Sequence, residues 1–441
     1  MNIFHPFSID TRTLQKGDCF VALDGTKQKG ITFLAQAFAS GAEMAICSRR
    51  DEAEVPAHFI SRIQFVDNPA HEMARLALLH RKQFSFPVVG VVGSVGKTST
   101  KQFLSYLLEK RFKTLVTAGN LNNHLGLPMM ISRIKPEHQM AVLEMGADHV
   151  GDLKKLVEMS EPDCAVLTPI APEHLLGFGS LQGVYDGELE ILLSPKLKIL
   201  VTVDSDQELD RRLRAWNGKV TRVGFSEVAD IRITDLHIEN NQTHFKVQGR
   251  KIILPTPASF LAQNAALAIA MAIELGVDWS LIEGEWQPEM AKGRFAMRKL
   301  ASGLTVIDDT YNSSPQAFSA ALNSLEAMQF SRKWLVFSDM LELGQESEHW
   351  HRELAKEISQ KNLCGVYAFG PQSQMTIETL KSNSCKISSF WFENTEKLVE
   401  NLTPQLRAGD LILFKGSRGM KVEKVLETIE ARYSYGGKTL G

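Results

Sequence analysis

Pro87-Val88-Val89-Gly90-Val91-Val92-Gly93-Ser94-Val95-Gly96-Lys97-Thr98-Ser99-Thr100 is the stretch on which the reading of this chain turns. Residues 87–92 form a nearly continuous β-branched run, as in a strand buried on both faces of a parallel sheet. A glycine-containing loop follows, and then a helical pattern from about 97 to 110. Strand, loop and helix in that order are the setting in which a phosphate-binding loop is credible. Glycines let the loop fold tightly, so that the N–H groups of Gly93, Ser94, Val95, Gly96 and Ser99 face phosphate oxygens, helped by the positive helix N-terminus. Lys97 would neutralise β- and γ-phosphates, and Thr98 would place its hydroxyl on Mg²⁺. The strict motif has glycine at position 91, where this chain has Val91. A plain glycine turn with an exposed lysine is the alternative. The loop alone names no reaction, since motors, kinases and ligases all use it.

Working outward, further buried-strand patterns at 140–145, 164–168 and 197–203 alternate with helical segments, which predicts parallel α/β structure. Residues 224–254 read as strand-rich and antiparallel, and 259–275 as strongly helical. Upstream, a strand at 18–23 with the turn Asp24-Gly25, a helix at 33–39 ending at Gly41, a strand at 44–47 and a helix at 69–82 make a small α/β unit. Downstream, strand patterns at 304–307, 334–337, 366–369, 390–392 and 411–414 with helices between them predict a smaller doubly wound, Rossmann-like sheet. The fold expected is α/β in three domains: 1–84, a central P-loop domain at 85–296, and 297–441.

The 441-residue length fits about three domains. A net charge of −2 shows no basic excess for nucleic acid or an anionic membrane surface. No apolar stretch approaches the roughly 20 residues that span a bilayer. The first ten residues show no basic region followed by an apolar run, so no secretory signal is expected. Five isolated cysteines, with no C-x-x-C pair, fit a reducing cytoplasm rather than a disulfide framework or zinc site.

Several polar residues stand where chemistry is done. Glu144 ends the apolar strand pattern at 141–143, and strand carboxyl ends line the crevice of an open α/β sheet. A carboxylate there binds the magnesium of a triphosphate, or merely meets solvent. His174 follows the next strand by a short loop, as a second metal ligand or a structural histidine. Asp308 and Asp309 end another apolar strand. Paired aspartates there are costly unless they serve a cation, hydroxyls or helix donors. A ribose or a γ-phosphate charge network would explain Asp309 together with Arg294, whereas a helix cap would explain only one aspartate.

With these residues in place, the chain from about residue 10 to 423 resembles the Mur ligase family. The resemblance implies a first domain that holds the UDP end of a sugar-peptide, a central domain that holds ATP with Mg²⁺, and a third that closes over both. Asp10-Thr11-Arg12 and Gly25 resemble the UDP-binding opening. Asn120, Asn122 and Asn123, within Gly119-Asn120-Leu121-Asn122-Asn123-His124-Leu125-Gly126-Leu127-Pro128, resemble the peptide-substrate loop. Glu144-Met145-Gly146 and His174-Leu175 match the magnesium ligands, and Asn264, Arg294, Asp309 and Asn312 the adenine, ribose and phosphate contacts. In the third domain, Asp339-Met340-Leu341-Glu342-Leu343-Gly344 with His351 resembles the D-alanyl-D-alanine-adding member. Lys415-Gly416-Ser417-Arg418-Gly419 with Glu423 is a late match.

The resemblance implies an ATP-dependent ligase that activates the carboxylate of a UDP-N-acetylmuramoyl tripeptide as an acyl phosphate and couples it to D-alanyl-D-alanine, acting as a cytoplasmic monomer. His351 is a candidate base. A single-amino-acid ligase of the folate polyglutamate type and a non-catalytic nucleotide-binding scaffold are the competing readings. The chain departs from the family at Glu188, where the family has a lysine carbamylated on its amine that helps hold a second magnesium. Glutamate has the same charge on a stem shorter by roughly 3–4 Å, so Glu188 is expected to replace the carbamate directly or through water. Phe260, Lys29, Ile31 and Ser314 are lesser departures.

Overall fold

A computed structural model describes residues 4–383 and 385–434; the outermost ends of the expected first and third domains fall outside these. Three sheets follow one another along the chain. In the first, Phe7–Ser8, Cys19–Val21, Met44–Ser48 and Ile63–Val66 lie in chain order, all parallel. The strands at Phe7–Ser8 and Ile63–Val66 are absent from the sequence reading, because two and four residues are too few to display a period.

The second sheet has ten strands. Val88–Val92 is fully buried, between Met140–Glu144 and Cys164–Leu167, and is the third strand in from the edge formed by Thr114–Val116. The chain fills one side of Val88–Val92 with Thr114–Val116 and Met140–Glu144, then crosses to the other with Cys164–Leu167. The carboxyl end of Val88–Val92 is therefore a switch point, where such sheets open a ligand crevice. Ile199–Val203 and Lys219–Gly224 continue the parallel pairing.

The antiparallel expectation for 224–254 is corrected at its start. Lys219–Gly224 pairs in parallel with Ile231–Glu239, through the two registered pairs Val223–Ile231 and Gly224–Arg232. The antiparallel part is the excursion Ile231–Glu239, Gln242–Val247 and Arg250–Leu254. The turn between the first two is Asn240-Asn241, both at positive φ (51° and 59°), a conformation that asparagine tolerates and that hairpin turns require.

The third sheet places Thr305–Asp309, Leu411–Lys415, Lys333–Ser338, Gly365–Phe369 and Ser388–Phe392 side by side in parallel, with Ala296–Lys299 antiparallel at one edge. Among the described residues no helix is long and apolar enough to cross a membrane.

The helix Pro69–Arg81 joins the first unit to the second, packing on Gly126–Ser132 and Asp152–Ser160. Near its end, His80 is buried, stacks on Phe4 at 4.0 Å, and its Nε2 lies 2.9 Å from the Ile134 carbonyl. Burial holds the His80 pKa below the ordinary 6.5, against the pull of the Ile134 carbonyl. The unfolded chain therefore takes up this proton first, and the contribution of His80 to stability is complete above about pH 6.5 and is lost as pH falls toward the folded value. Urea unfolding between pH 7.5 and 5 should show this loss, and His80→Gln should flatten the dependence.

Candidate active site

The phosphate loop is held by protein on three sides. Gly93 and Gly96 have φ of 112° and 97°, and each lies against backbone or side chain where no Cβ fits. A Cβ on Gly93 would fall 2.4 Å from Thr168 Oγ1, and one on Gly96 2.5 Å from Asn264 Oδ1. The Gly93 N–H donates to Glu188 Oε2 at 2.7 Å, and the Ser94 and Val95 N–H groups share the Pro169 carbonyl at 3.1 and 3.2 Å. The Ser94 hydroxyl accepts from Ala171 N–H at 3.1 Å. Three amides that the sequence reading assigned to phosphate thus anchor the loop instead. The first-turn N–H groups of the helix Lys97–Leu108 have no partner within the helix, as at any helix start, and face the crevice end.

Lys97 lies over the loop, donating to the Gly93 carbonyl and, at 3.2 Å, to the Ser94 carbonyl, with Glu173 Oε2 at 4.0 Å. Burial alone would lower the Lys97 pKa. The carboxylates Glu173, Glu188 and Glu144 outweigh it and raise the pKa above the usual lysine value. Glu188 is 2% exposed, and burial raises its pKa against the opposing pull of Lys97 and the Gly93 N–H.

Glu144 is buried at the carboxyl end of its strand. Its Oε1 accepts from the Thr98 hydroxyl at 3.1 Å and from Asn122 Nδ2 at 2.9 Å. Its Oε2 lies 3.0 Å from Lys101 Nζ but outside hydrogen-bond geometry. Lys101, absent from the sequence reading, is buried one turn after Lys97 and donates to the Thr117 carbonyl at 3.0 Å. Its spacing of four from Lys97 was the available signal.

His174 has left-handed backbone (φ 50°) and a ring surrounded by carboxylates: Glu173 at 3.3 Å, Asp148 at 3.6 Å, and Glu342 of the third unit against Nδ1. Burial would lower its pKa, but these acids raise it to about 9.

The cleft over the loop is closed by the third unit. Its lining includes residues 94–99, Asn264, Arg294, Asp309, Asn312 and Lys415. Lys415 donates to Asp309 Oδ2 at 2.6 Å and to the Asn312 carbonyl at 3.2 Å, while Asp309 Oδ1 accepts from Phe295 N–H at 3.2 Å. Asp308 turns the other way and takes the N–H groups of Gly293 and Thr310. The two aspartates thus divide between ion pair and loop support. Arg294 stacks on Tyr311 at 4.1 Å, and Asn312 Nδ2 reaches Glu173 Oε1 at 3.4 Å. Glu144 Oε2, Glu173 Oε2 and Arg294 Nε are buried without hydrogen-bond partners. Orphaned anionic oxygens beside a cleft that also holds Lys97, Lys415 and an orphaned guanidinium donor fit a magnesium triphosphate.

Asp339, matched by resemblance to a substrate site, and His351, the candidate base, are both held within the scaffold. Asp339 is 1% exposed and takes Ser373 N–H and Oγ–H at 2.7 and 2.5 Å, capping the helix Ser373–Ser382. His351 is fully buried, with Nδ1 donating to the Ser347 carbonyl at 2.7 Å and Nε2 accepting from Met340 N–H at 3.2 Å. Neither nitrogen is free to take a proton from an amine. Both residues instead fix the 339–344 loop that carries Glu342. Ser417 supports that loop by accepting Leu341 N–H at 2.9 Å, and Arg418 is exposed beside Glu423.

Asn123 caps the helix Gly126–Ser132 by accepting the Leu125 and Gly126 N–H groups, and Asn120 is exposed. Thr11, Arg12 and Gly25 sit on loops of the first sheet, outside the lining of the P-loop cleft. Arg12 is exposed and paired with Asp10 at 2.6 Å.

Residues 91–272 match the Mur ligase middle domain, and residues 293–418 the Mur ligase glutamate ligase domain. The UDP-N-acetylmuramoyl-tripeptide–D-alanyl-D-alanine ligase of Escherichia coli (strain K12) is 31% identical over 433 residues, covering 96% of this chain and 92% of that protein. The ligase of the same name from Bacillus subtilis (strain 168) is 29% identical over 431 residues, covering 97% and 93%. Among solved structures, MurF ligase from Thermotoga maritima in complex with ADP superposes with a TM-score of 0.83 at 29% identity, covering 98% of this chain and 99% of that one. Identity of this extent, running through a cleft built as described, leads to one assignment: the chain belongs to the Mur ligase family.

Proposed function

We propose that this protein is the cytoplasmic, ATP- and Mg²⁺-dependent ligase that joins D-alanyl-D-alanine to a UDP-N-acetylmuramoyl tripeptide, acting as a monomer. The observation that carries the reading is the convergence of Lys97, Thr98, Arg294 and Lys415 on one cleft, with Glu144 bonded to Thr98 beside it, in a chain alike along its whole length to ligases of that name. In this reading residues 1–84 hold the UDP end, 85–296 the nucleotide, and 297–441 close the cleft.

The chemistry follows from charge. A carboxylate does not accept an amine at neutral pH without activation. Its oxygen attacks the terminal phosphorus of ATP, ADP departs, and the resulting acyl phosphate is attacked by the amine with loss of phosphate. Two anions have to approach each other, so fixed positive charge must lie between them. Lys97 and Arg294 meet the phosphate oxygens. Asn264, packed against Gly96, positions the nucleoside side of the cleft. Thr98, Glu144 and His174 would hold Mg²⁺, which supplies charge neutralisation between triphosphate and carboxylate. His174 must give up its proton to serve as a ligand, and the surrounding acids then turn to the cation. Glu188 holds the loop through Gly93 and supplies in place, without CO₂, the negative charge that a carbamate would bring. Closure by the third unit shields the acyl phosphate from water.

Phosphate release from purified protein should require ATP, the tripeptide and D-alanyl-D-alanine together. Lys97→Ala should lower kcat/KM by at least about 100-fold. Release driven by glutamate as the amine would point instead to the folate-type reaction, and release by Lys97→Ala at the native rate would refute the reading. Gly96→Ala, strained at φ 97° and pressed on Asn264, should weaken ADP binding at least about tenfold with unchanged far-ultraviolet dichroism. Glu188→Ala should slow turnover and shift its Mg²⁺ dependence. Unchanged rate and Mg²⁺ response in that variant would remove Glu188 from the metal site.

A further inference from the structure

We infer that the hairpin formed by Ile231–Glu239 and Gln242–Val247 carries a second cation site, for a zinc-type transition metal, built from His237, Glu239 and His244. The register brings these residues together. His237 is paired directly with His244 across the antiparallel ladder, and Glu239 lies two residues from His237, hence on the same face. The two imidazoles stack at 5.2 Å with an interplanar angle of 18°. One ligand atom from each of the three side chains lies within 4.8 Å of the other two.

Hydrogen bonding prepares the first histidine. His237 Nδ1 lies 2.8 Å from the Asp235 carbonyl oxygen. A carbonyl only accepts, so Nδ1 carries the proton and Nε2 presents a bare lone pair, 3.9 Å from Glu239 Oε2. An N–H held by a backbone carbonyl is the usual support that orients a metal-ligating imidazole. His244 supplies an independent observation. It is 6% exposed, and neither Nδ1 nor Nε2 has a hydrogen-bond partner. Buried ring nitrogens are nearly always satisfied. A salt link between His237 and Glu239 accounts for two of the three side chains and leaves His244 unexplained, whereas a metal gives its lone pair a partner.

The donor set selects the ion. Two imidazoles and one carboxylate suit Zn²⁺, Co²⁺ or Ni²⁺, while Mg²⁺ and Ca²⁺ take oxygen donors. Ligand atoms around a tetrahedral zinc stand about 3.4 Å apart, so the cluster has to contract slightly. Glu239 is exposed and free to turn inward toward the two imidazoles. Three protein ligands leave one position for water.

The site is separate from the nucleotide cleft. Ile231–Glu239 is the fourth strand over from Val88–Val92, roughly 19 Å at the usual strand spacing.

The test uses the full metal-free chain in excess Mg²⁺, without nucleotide, titrated with Co²⁺ and then with Zn²⁺. The expected result is an equivalent of Co²⁺ with visible d–d absorption, displaced by Zn²⁺, and a Zn²⁺-induced rise in the unfolding temperature. His237→Ala and His244→Ala should each lose that equivalent and the temperature shift, and Glu239→Gln should weaken binding at least about tenfold. His237→Ala should keep full ligase turnover in Mg²⁺. His237 is exposed, so this variant decides the matter even where His244→Ala fails to fold. Cobalt stoichiometry and absorption unchanged in His237→Ala, or no Co²⁺ bound by the native chain at roughly 100 μM, would overturn the site.

Discussion

The structure depends on how the phosphate loop is tied down. The loop leaves Val88–Val92, third strand from one edge of the ten-stranded sheet, and is fastened sideways, through Gly93 to Glu188 and through Ser94 and Val95 to the Pro169 carbonyl. These bonds reach both the helix that follows the Cys164–Leu167 strand and the loop directly after it. The starting point of the Lys97–Leu108 helix is set by them, and with it the direction of its unpaired N–H groups. Glycine is required at positions 93 and 96 for a double reason, since the backbone angle excludes most side chains and the neighbouring atoms exclude all of them.

Around this anchor the protein buries charge to an extent that a merely stable fold would avoid. Glu144, Glu188, Lys101, Lys415 and Asp309 are each at most 9% exposed. Burying such groups costs several kcal/mol apiece before pairing, and well-packed apolar residues often serve stability as well or better. The pairs are also incomplete, since Glu144 Oε2 and Glu173 Oε2 lack hydrogen bonds although cations stand near. A site that handles triphosphate and carboxylate together needs such prearranged charge, because water would otherwise have to reorganise during the reaction. The contact of Glu342 with His174, and that of Asn312 with Glu173, draw the third unit into the same network.

Much of this was legible in the sequence because it rests on local order. The run 87–100 shows its strand by β-branching and its loop by glycine. Glu144 and Asp309 reveal themselves as acids ending apolar strands. Long strands at 140–145 and 411–414 were visible for the same reason. What escaped was set by distance in space. Lys101 looks like any surface lysine of an amphipathic helix until the Thr117 carbonyl and Glu144 close over it. Asp339 and His351 lie in a run whose composition suggests a site, yet burial and internal hydrogen bonds give them to the scaffold. The anchoring of Gly93 to Glu188 joins residues 95 positions apart, which no periodicity can express.

The hairpin that ends at Asn240-Asn241 has a consequence for how this architecture tolerates change. Its turn needs only two residues with left-handed backbone, and among the described residues its strands contribute nothing to the lining of the nucleotide cleft. Chain can be lengthened or exchanged at such a tip without altering the register of the strands that carry Lys97 and Glu144. A permissive turn thus stands several strands away from the geometry that sets the phosphate loop.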